Sequence, residues 1–376
     1  MKRVLFFSAT YYNLPLSDNL KKKFQFLSEV SECTVVAFSN KNIEFQEENT
    51  NFYIYKQSSF RILNYLKILK KSYFDLNKII KKQNIDIVAF QDPITSFLGF
   101  LRIKQSHPNI KIVLESHGDF INTLGMEKNL FLPSLYKKAF NSIAQYTIDN
   151  ADIVRAVSSS TEEQVLSFNK SKNVVRFPAW IDFEVYKNVA PTREDNQIYK
   201  ILFIGSVTDR KKPHMVIEAL PKLNNKNVEF HIVGPTPNQQ YLERINNLID
   251  EYNLEGKVFI HGIKDRDEVI EFYKTSNLMI LPSVSEGLAR VIFESQVTSC
   301  PVLVTDAPGM QDIVIDGQTG FVFESNNLES LVLKMNEVFD DYNQSIQIGR
   351  NAKDFILENF SEDKFKFSFK KIFDLV

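Results

Sequence analysis

Cysteine is nearly absent from this 376-residue chain: Cys33 and Cys300 are the two present. Two thiols exclude both a disulfide framework and a four-ligand zinc site. Long hydrophobic runs are missing as well, and none approaches the roughly 18 apolar residues of a membrane span. At the N-terminus the apolar run covers only residues 4–7, too short for the core of a signal peptide. A cytoplasmic protein, or one lying on the inner face of the cytoplasmic membrane, is therefore expected. No low-complexity tract and no fixed-period repeat occurs, which sets aside disordered and solenoid classes. Net charge is −1 and no recognition motif is present, so nucleic acid is not an expected partner.

Hydrophobic residues make up 44% and charged residues 24%, the proportions of a soluble globular protein. The 32 phenylalanines fall inside periodic segments and read as core. The small net charge hides an asymmetry. Residues 1–190 carry 25 basic and 18 acidic side chains, whereas the remainder carries 20 and 28. A length of 376 exceeds one hydrophobic core, which predicts two domains.

Short apolar runs alternate with longer amphipathic stretches, the signature of βα units and parallel sheets. The first series places strands at 3–8, 33–39, 51–55, 85–90, 111–115, 153–157 and 174–177. Helical periods fall near 19–31, 62–83, 134–150 and 159–168. A second series has strands at 200–204, 229–233, 258–261, 278–281, 301–305 and 320–323, with helices near 213–223, 238–251, 266–275 and 289–298. Between the series, 188–199 is polar, aperiodic and carries a proline, which reads as a linker. The expected division is 1–187 and 200–350, each a Rossmann-like doubly wound α/β domain, with a helix in 351–376 packing back on the N-terminal domain. Ligands of such sheets bind beyond the carboxyl ends of the strands, so the site is expected in an interdomain cleft.

The most informative stretch is Leu281-Pro-Ser-Val-Ser-Glu-Gly-Leu-Ala-Arg-Val-Ile-Phe-Glu-Ser295: a strand, a turn at Gly287, and a helix from about Leu288 or Ala289. Gly287 lets backbone N–H groups approach a ligand, and a helix N-terminus favours phosphate. Glu286 and Glu294 invite a glycosidase reading. Eight helical steps separate them by roughly 12 Å, beyond the roughly 5–9.5 Å of a hydrolytic pair. Two separate ligand-binding tasks fit better. A second constellation is Ile201-Leu-Phe-Ile-Gly-Ser-Val-Thr-Asp-Arg-Lys-Lys-Pro213, where Arg210, Lys211 and Lys212 follow a strand-end glycine and would neutralise a diphosphate. A third is Leu114-Glu-Ser-His-Gly-Asp119, with His117 just after a strand. The other histidines, His107, His214, His231 and His261, lack ligand spacing and read as structural.

These segments resemble the retaining glycosyltransferase family 4, whose mark is a Glu-x7-Glu motif at such a strand–turn–helix junction. Cys300-Pro-Val-Leu-Val-Thr-Asp306 and Asp316-Gly-Gln-Thr-Gly-Phe-Val-Phe323 continue the likeness. The resemblance implies a GT-B fold and transfer of a sugar from a nucleoside-diphosphate sugar to a hydroxyl of a glycan or lipid-linked acceptor, in polysaccharide, lipopolysaccharide or other glycan assembly. It also implies retention of configuration, with no metal and no cofactor beyond the donor substrate. By the same resemblance Glu294 would hold the ribose of the donor, and Glu286 its sugar, helped by backbone groups of Gly287, Leu288 and Ala289. Lys211 would meet the diphosphate beside Gly205 and Ser206. Ser206 stands where the family usually has an arginine, a role assigned here to Arg210. His117 would lie near the reacting sugar.

The chain departs from the family pattern in having no glycine before Gly99, Ala179-Trp180 in place of Asn-Gly, Pro308 in place of a glycine, and Asp312 in place of a glutamate. Two alternatives share the fold: a non-catalytic binding subunit, and a sugar phosphorylase or epimerase. Finally, residues 65–82 carry six lysines and one acid along an apolar helical face. With Lys21-Lys-Lys-Phe-Gln-Phe26 they suggest a basic, aromatic surface for anionic lipid.

Overall fold

A computed structural model of the chain describes residues 1–58, 61–118, 133–192, 198–225, 227–286 and 289–376. The chain forms two compact units, Met1–Ile181 with Glu362–Val376, and Asp182–Ser361.

The first unit is built on β1 (Arg3–Tyr11), β2 (Glu32–Ser39), β3 (Ile43–Glu47), β4 (Thr50–Lys56), β5 (Ile87–Phe90), β6 (Lys111–Ser116), β7 (Ile153–Ala156) and β8 (Val174–Arg176). They form one sheet in the order β3-β4-β2-β1-β5-β6-β7-β8. β3 runs antiparallel to β4, and the other pairings are parallel. β1 shows why its sequence is a continuous apolar run. Leu5 and Phe7 enter one core layer, Val4 and Phe6 the opposite one, so both faces of the strand are covered. The layer beside Leu5 is filled by helices Arg61–Gln83, Phe97–Ser106 and Pro133–Asn150. The layer beside Val4 is filled by Asp18–Ser28 and by the C-terminal helix Glu362–Leu375, whose Phe365, Phe369, Ile372 and Phe373 are buried there.

The second unit has β9 (Tyr199–Ile204), β10 (Val228–Val233), β11 (Val258–Gly262), β12 (Leu278–Leu281), β13 (Val302–Thr305) and β14 (Phe321–Phe323). Their order is β11-β10-β9-β12-β13-β14, parallel throughout. The order reverses between β9 and β12, which makes the gap beyond their carboxyl ends the topological switch point.

Several sequence expectations change. The first unit ends at Ile181, six residues before the expected 187, because the short helix Glu184–Lys187 belongs to the second unit. Phe183 stacks on Phe293, and Tyr186 packs on Tyr273. The returning segment starts at Glu362 rather than 351, since the helix Tyr342–Asn359 sits on the second unit with Gly349 pressed against the Ser299 carbonyl. Helix Phe97–Ser106 and the antiparallel β3 were not legible as periodic segments. The helices Asp18–Ser28 and Arg61–Gln83 do not share a lipid-facing surface, because they cover opposite faces of the sheet and Phe24 is buried.

The remaining histidines pair within the fold. His107 meets Asn77 at 2.5 Å, His231 meets His261 at 3.0 Å, and His214 Nδ1 lies 2.6 Å from the Tyr241 hydroxyl. Burial, reinforced by Arg244, pushes His214 down from 6.5 to about 4. The folded state therefore keeps this ring neutral while the unfolded chain takes up a proton below pH 6.5. Its stabilising contribution is complete above that value and is lost as pH falls towards 4. Allowing for solvent screening, about 2 kcal/mol is expected to disappear across this window. Urea unfolding of the wild type and of His214→Gln at stepped pH checks this: the variant should lose less stability over the same range, and equal slopes would contradict the assignment.

Candidate functional site

At the end of β9 the backbone turns at Gly205, where φ is +151°, a conformation that favours glycine. A second glycine makes the turn possible. Gly234, at the exit of β10, lies so close that a Cβ there would sit 2.1 Å from the Gly205 carbonyl oxygen. Gly205 N–H donates to the Val233 carbonyl at 2.9 Å and Val207 N–H to that of Pro235 at 2.8 Å. The loop after β9 is thus clamped to the loop after β10. The aliphatic part of Lys211 folds back over Gly205, 3.5 Å from where a Cβ would stand.

The loop after β12 closes the other side. Val284 N–H donates to the Arg210 carbonyl at 3.1 Å, and the Thr305 hydroxyl to the Ser283 carbonyl at 2.6 Å. Between these loops one carboxylate oxygen gathers three donors. Glu286 Oε1 lies 2.7 Å from Lys211 Nζ, 3.1 Å from an Arg210 guanidinium nitrogen and 2.7 Å from the Ser283 hydroxyl. The same Arg210 nitrogen donates to the Ser285 carbonyl at 2.5 Å. The Lys211 and Glu286 side chains are 12% and 9% exposed, so this pair is held in partly desolvated surroundings where charge acts strongly. Lys212 does not join them. With φ at +49° it turns away and its ammonium meets Asn326 at 2.5 Å, so the basic triplet contributes two cations to the site. Ser206 is half-buried on the same loop. Gly287 and Leu288 lie outside the described residues; Ala289 is buried as the residue preceding helix Arg290–Val297.

Glu294 sits inside that helix and has different company. The Tyr273 hydroxyl lies 3.2 Å from its Oε2, and Tyr186, packed on Tyr273, interacts electrostatically with the same carboxyl. Burial raises the Glu294 carboxyl above its ordinary value, opposed by Arg290 and the two tyrosines. Arg210, Lys211, Glu286 and Gly205 therefore come together, whereas Glu294 occupies a separate, tyrosine-lined position.

His117 belongs to the first unit, just past β6. Its Nε2 is 2.7 Å from Oε2 of Glu115, and the same oxygen accepts from Arg155 at 2.8 Å. Burial alone would raise the Glu115 carboxyl, but Arg155, His117 and Lys23 together hold it down to about 2.

Comparison with known proteins now gives this geometry a family. Residues 30–185 match the profile of Glycosyltransferase Family 4, and residues 186–355 match that of Glycosyl transferases group 1. The chain is a glycosyltransferase of this type, with one of the two domains in each half. Among its relatives, N-acetyl-alpha-D-glucosaminyl L-malate synthase of Bacillus anthracis is 24% identical, over 88% of this chain and 84% of that protein. A Campylobacter jejuni protein, N,N'-diacetylbacillosaminyl-diphospho-undecaprenol alpha-1,3-N-acetylgalactosaminyltransferase, is 22% identical over 82% of each chain. Among solved structures, HepE of Anabaena in complex with UDP superposes with a TM-score of 0.74 at 14% identity, covering all of both chains. The fold is GT-B, two Rossmann-like α/β domains. The Campylobacter relative is by its name an N-acetylgalactosaminyltransferase.

Gly234, Tyr186 and Tyr273 escaped the sequence reading, and Ser283, Thr305 and Glu115 were read only as parts of their segments, with no role of their own. Gly234 carried a usable signal, a strand-end glycine followed by Pro235. Gly234→Ala should cost about 2–4 kcal/mol, because the methyl group meets backbone that cannot rotate away. Gly256→Ala, at φ +78° with nothing within 4 Å, should cost only about 1 kcal/mol. Thermal unfolding of both variants decides: equal losses would show that the clamp between the two loops is not tight.

Proposed function

We propose that the chain is a retaining glycosyltransferase that moves a sugar from a nucleoside-diphosphate sugar to a hydroxyl acceptor, without a metal ion. The observation that carries this reading is the convergence of Lys211, Arg210 and Glu286 at the switch point of the C-terminal sheet. HepE binds UDP in its crystal structure, which supports a nucleotide in this kind of fold. Lys211 and Arg210 face the diphosphate, Gly205 and Ser206 give it backbone access, and Glu286 takes hydroxyls of the donor sugar. Ala289 offers a backbone group beside it, and Glu294 holds the ribose. A carboxylate suits both sugar tasks because it accepts charge-assisted hydrogen bonds from hydroxyls.

In the reaction the bond between the anomeric carbon and the diphosphate oxygen breaks, and the leaving diphosphate gains negative charge. The acceptor oxygen bonds to the same face of that carbon, and its proton passes to the departing oxygen. Fixed cations at the diphosphate lower this barrier because the charge grows where they already stand. His117, in the first unit, is assigned a hydrogen bond to a sugar hydroxyl.

Lys211→Ala should slow transfer by about 10²–10³-fold with a smaller effect on binding. Glu294→Ala should weaken donor binding by about 10–100-fold. Calorimetry with UDP-, GDP- and ADP-sugars, followed by transfer assays, checks both; nucleotide binding unchanged in the two variants refutes the site.

The acceptor side is read as membrane-proximal. The Campylobacter relative's name includes a diphospho-undecaprenol-linked sugar. Along helix Arg61–Gln83, exposed Lys70, Phe74, Lys78 and Lys81 follow one another at helical spacing, and Phe74 is 56% exposed. Among the described residues no helix is long and apolar enough to cross a membrane. Such a stripe lies on an anionic surface, each lysine contributing about 1 kcal/mol. In co-sedimentation with phosphatidylglycerol vesicles the protein should pellet, and Lys70→Glu/Phe74→Ala/Lys78→Glu should remain in solution. Equal pelleting, or none by the wild type, contradicts peripheral attachment through this face.

A further inference from the structure

Glu115 and Arg155 are direct cross-strand neighbours on β6 and β7, and both side chains are 1% exposed. A buried ion pair of this kind gains little stability over an apolar pair of similar volume, because desolvation offsets the attraction. Its geometry is also poor for a purely structural pair. An arginine fork best meets both oxygens of a carboxylate in two parallel bonds. Here the fork is split: one nitrogen donates to Glu115 Oε2 and the other to the Pro178 carbonyl at 2.6 Å. Glu115 Oε1 and Arg155 Nε are buried without a hydrogen-bond partner among the described residues. The guanidinium is instead fixed by rings, 4.2 Å from the Phe177 centroid and 4.8 Å from that of Phe369 on the returning C-terminal helix. What this arrangement achieves is to leave Oε2 pointing at both Arg155 and His117.

His117, whose side chain is 35% exposed, carries this array towards solvent. The carboxylate can only accept, so the ring nitrogen 2.7 Å away carries the proton. When the ring carries only that proton, Nδ1 is an acceptor. We propose that Glu115 is a positioning residue: locked by Arg155, it holds His117 through Nε2–H and presents Nδ1 as an acceptor to sugar hydroxyls. The donor of that hydrogen bond rests on the glycosyl-transfer reading; the ring's orientation does not.

The test has two arms. In the first, protein with ¹⁵N-labelled histidine is observed by NMR without any substrate, and His117→Asn identifies the signal among five histidines. The wild type should show one tautomer, with Nε2–H downfield and slow to exchange. Glu115→Leu/Arg155→Leu removes the pair as a unit and should fold, and in it His117 should average between tautomers and lose the slow proton. Glu115→Gln, which keeps an acceptor for Arg155, should move that proton upfield and speed its exchange, and serves if the double variant is unstable. An unchanged His117 signal in either variant overturns the proposal. In the second arm the folded double variant should lose about 10–100-fold in kcat, with donor KM little altered. Adding His117→Asn to it should change kcat by less than about threefold, because the two act through one ring. Losses that multiply also overturn the proposal. A wild type with no transfer activity would remove the enzymatic reading alone, since the NMR arm needs no turnover.

Discussion

One ion pair organises the C-terminal unit: Lys211 Nζ against Glu286 Oε1 at 2.7 Å. Each partner comes from a loop that leaves a central strand at the point where the order of the sheet reverses. Neither loop could take its path alone. The first depends on Gly205 and Gly234 touching backbone to backbone, and the second hangs on Ser283, whose hydroxyl meets Glu286 and whose carbonyl is held by Thr305. The consequence is a compact arrangement of two cations and one anion, in which Lys211 and Glu286 are largely buried and Arg210 reaches solvent. Any diphosphate arriving there meets cations already neutralised by Glu286. In the proposed function it displaces that carboxylate or shares its donors, so that binding the anion and releasing Glu286 for sugar hydroxyls become one event.

The N-terminal unit handles buried charge in another way. Arg155 and Glu115 lie deep in the sheet, wrapped by Phe177 and by Phe369 from the last helix of the chain. The residues that complete this wrapping are far from Arg155 in sequence, and the aromatic layer on that side of the sheet includes Phe6, Phe24, Phe365 and Phe373. The abundance of phenylalanine is thus core, as composition suggested. It also forms the wall that holds one charged group in place behind His117.

Much of this was legible in the sequence because local signals agreed. The strand–turn–helix around Glu286 and the strand-end Gly205 followed by Arg210 and Lys211 each combine periodicity, a glycine and charge within a dozen residues, and the structure brings them together. What was not legible depends on direction or distance. Lys212 has the same chemistry as Lys211, but a left-handed backbone conformation sends it to Asn326. Tyr186 sits where the sequence turns irregular and so read as the end of a domain, yet it packs on Tyr273, which bonds to Glu294. Glu115 looked like an ordinary polar strand end, since nothing local announces Arg155 forty residues later. The basic helices Asp18–Ser28 and Arg61–Gln83 have similar composition, and only the sheet between them shows that they face opposite ways.

The central claim is that Lys211 and Arg210 grip a pyrophosphate in place of Glu286. A crystal structure with a non-hydrolysable nucleoside-diphosphate sugar tests it most directly. The account predicts phosphate oxygens within hydrogen-bonding distance of Lys211 Nζ and the Arg210 guanidinium, with Glu286 turned to the sugar. A nucleotide bound elsewhere, with the Lys211–Glu286 pair intact, would contradict it.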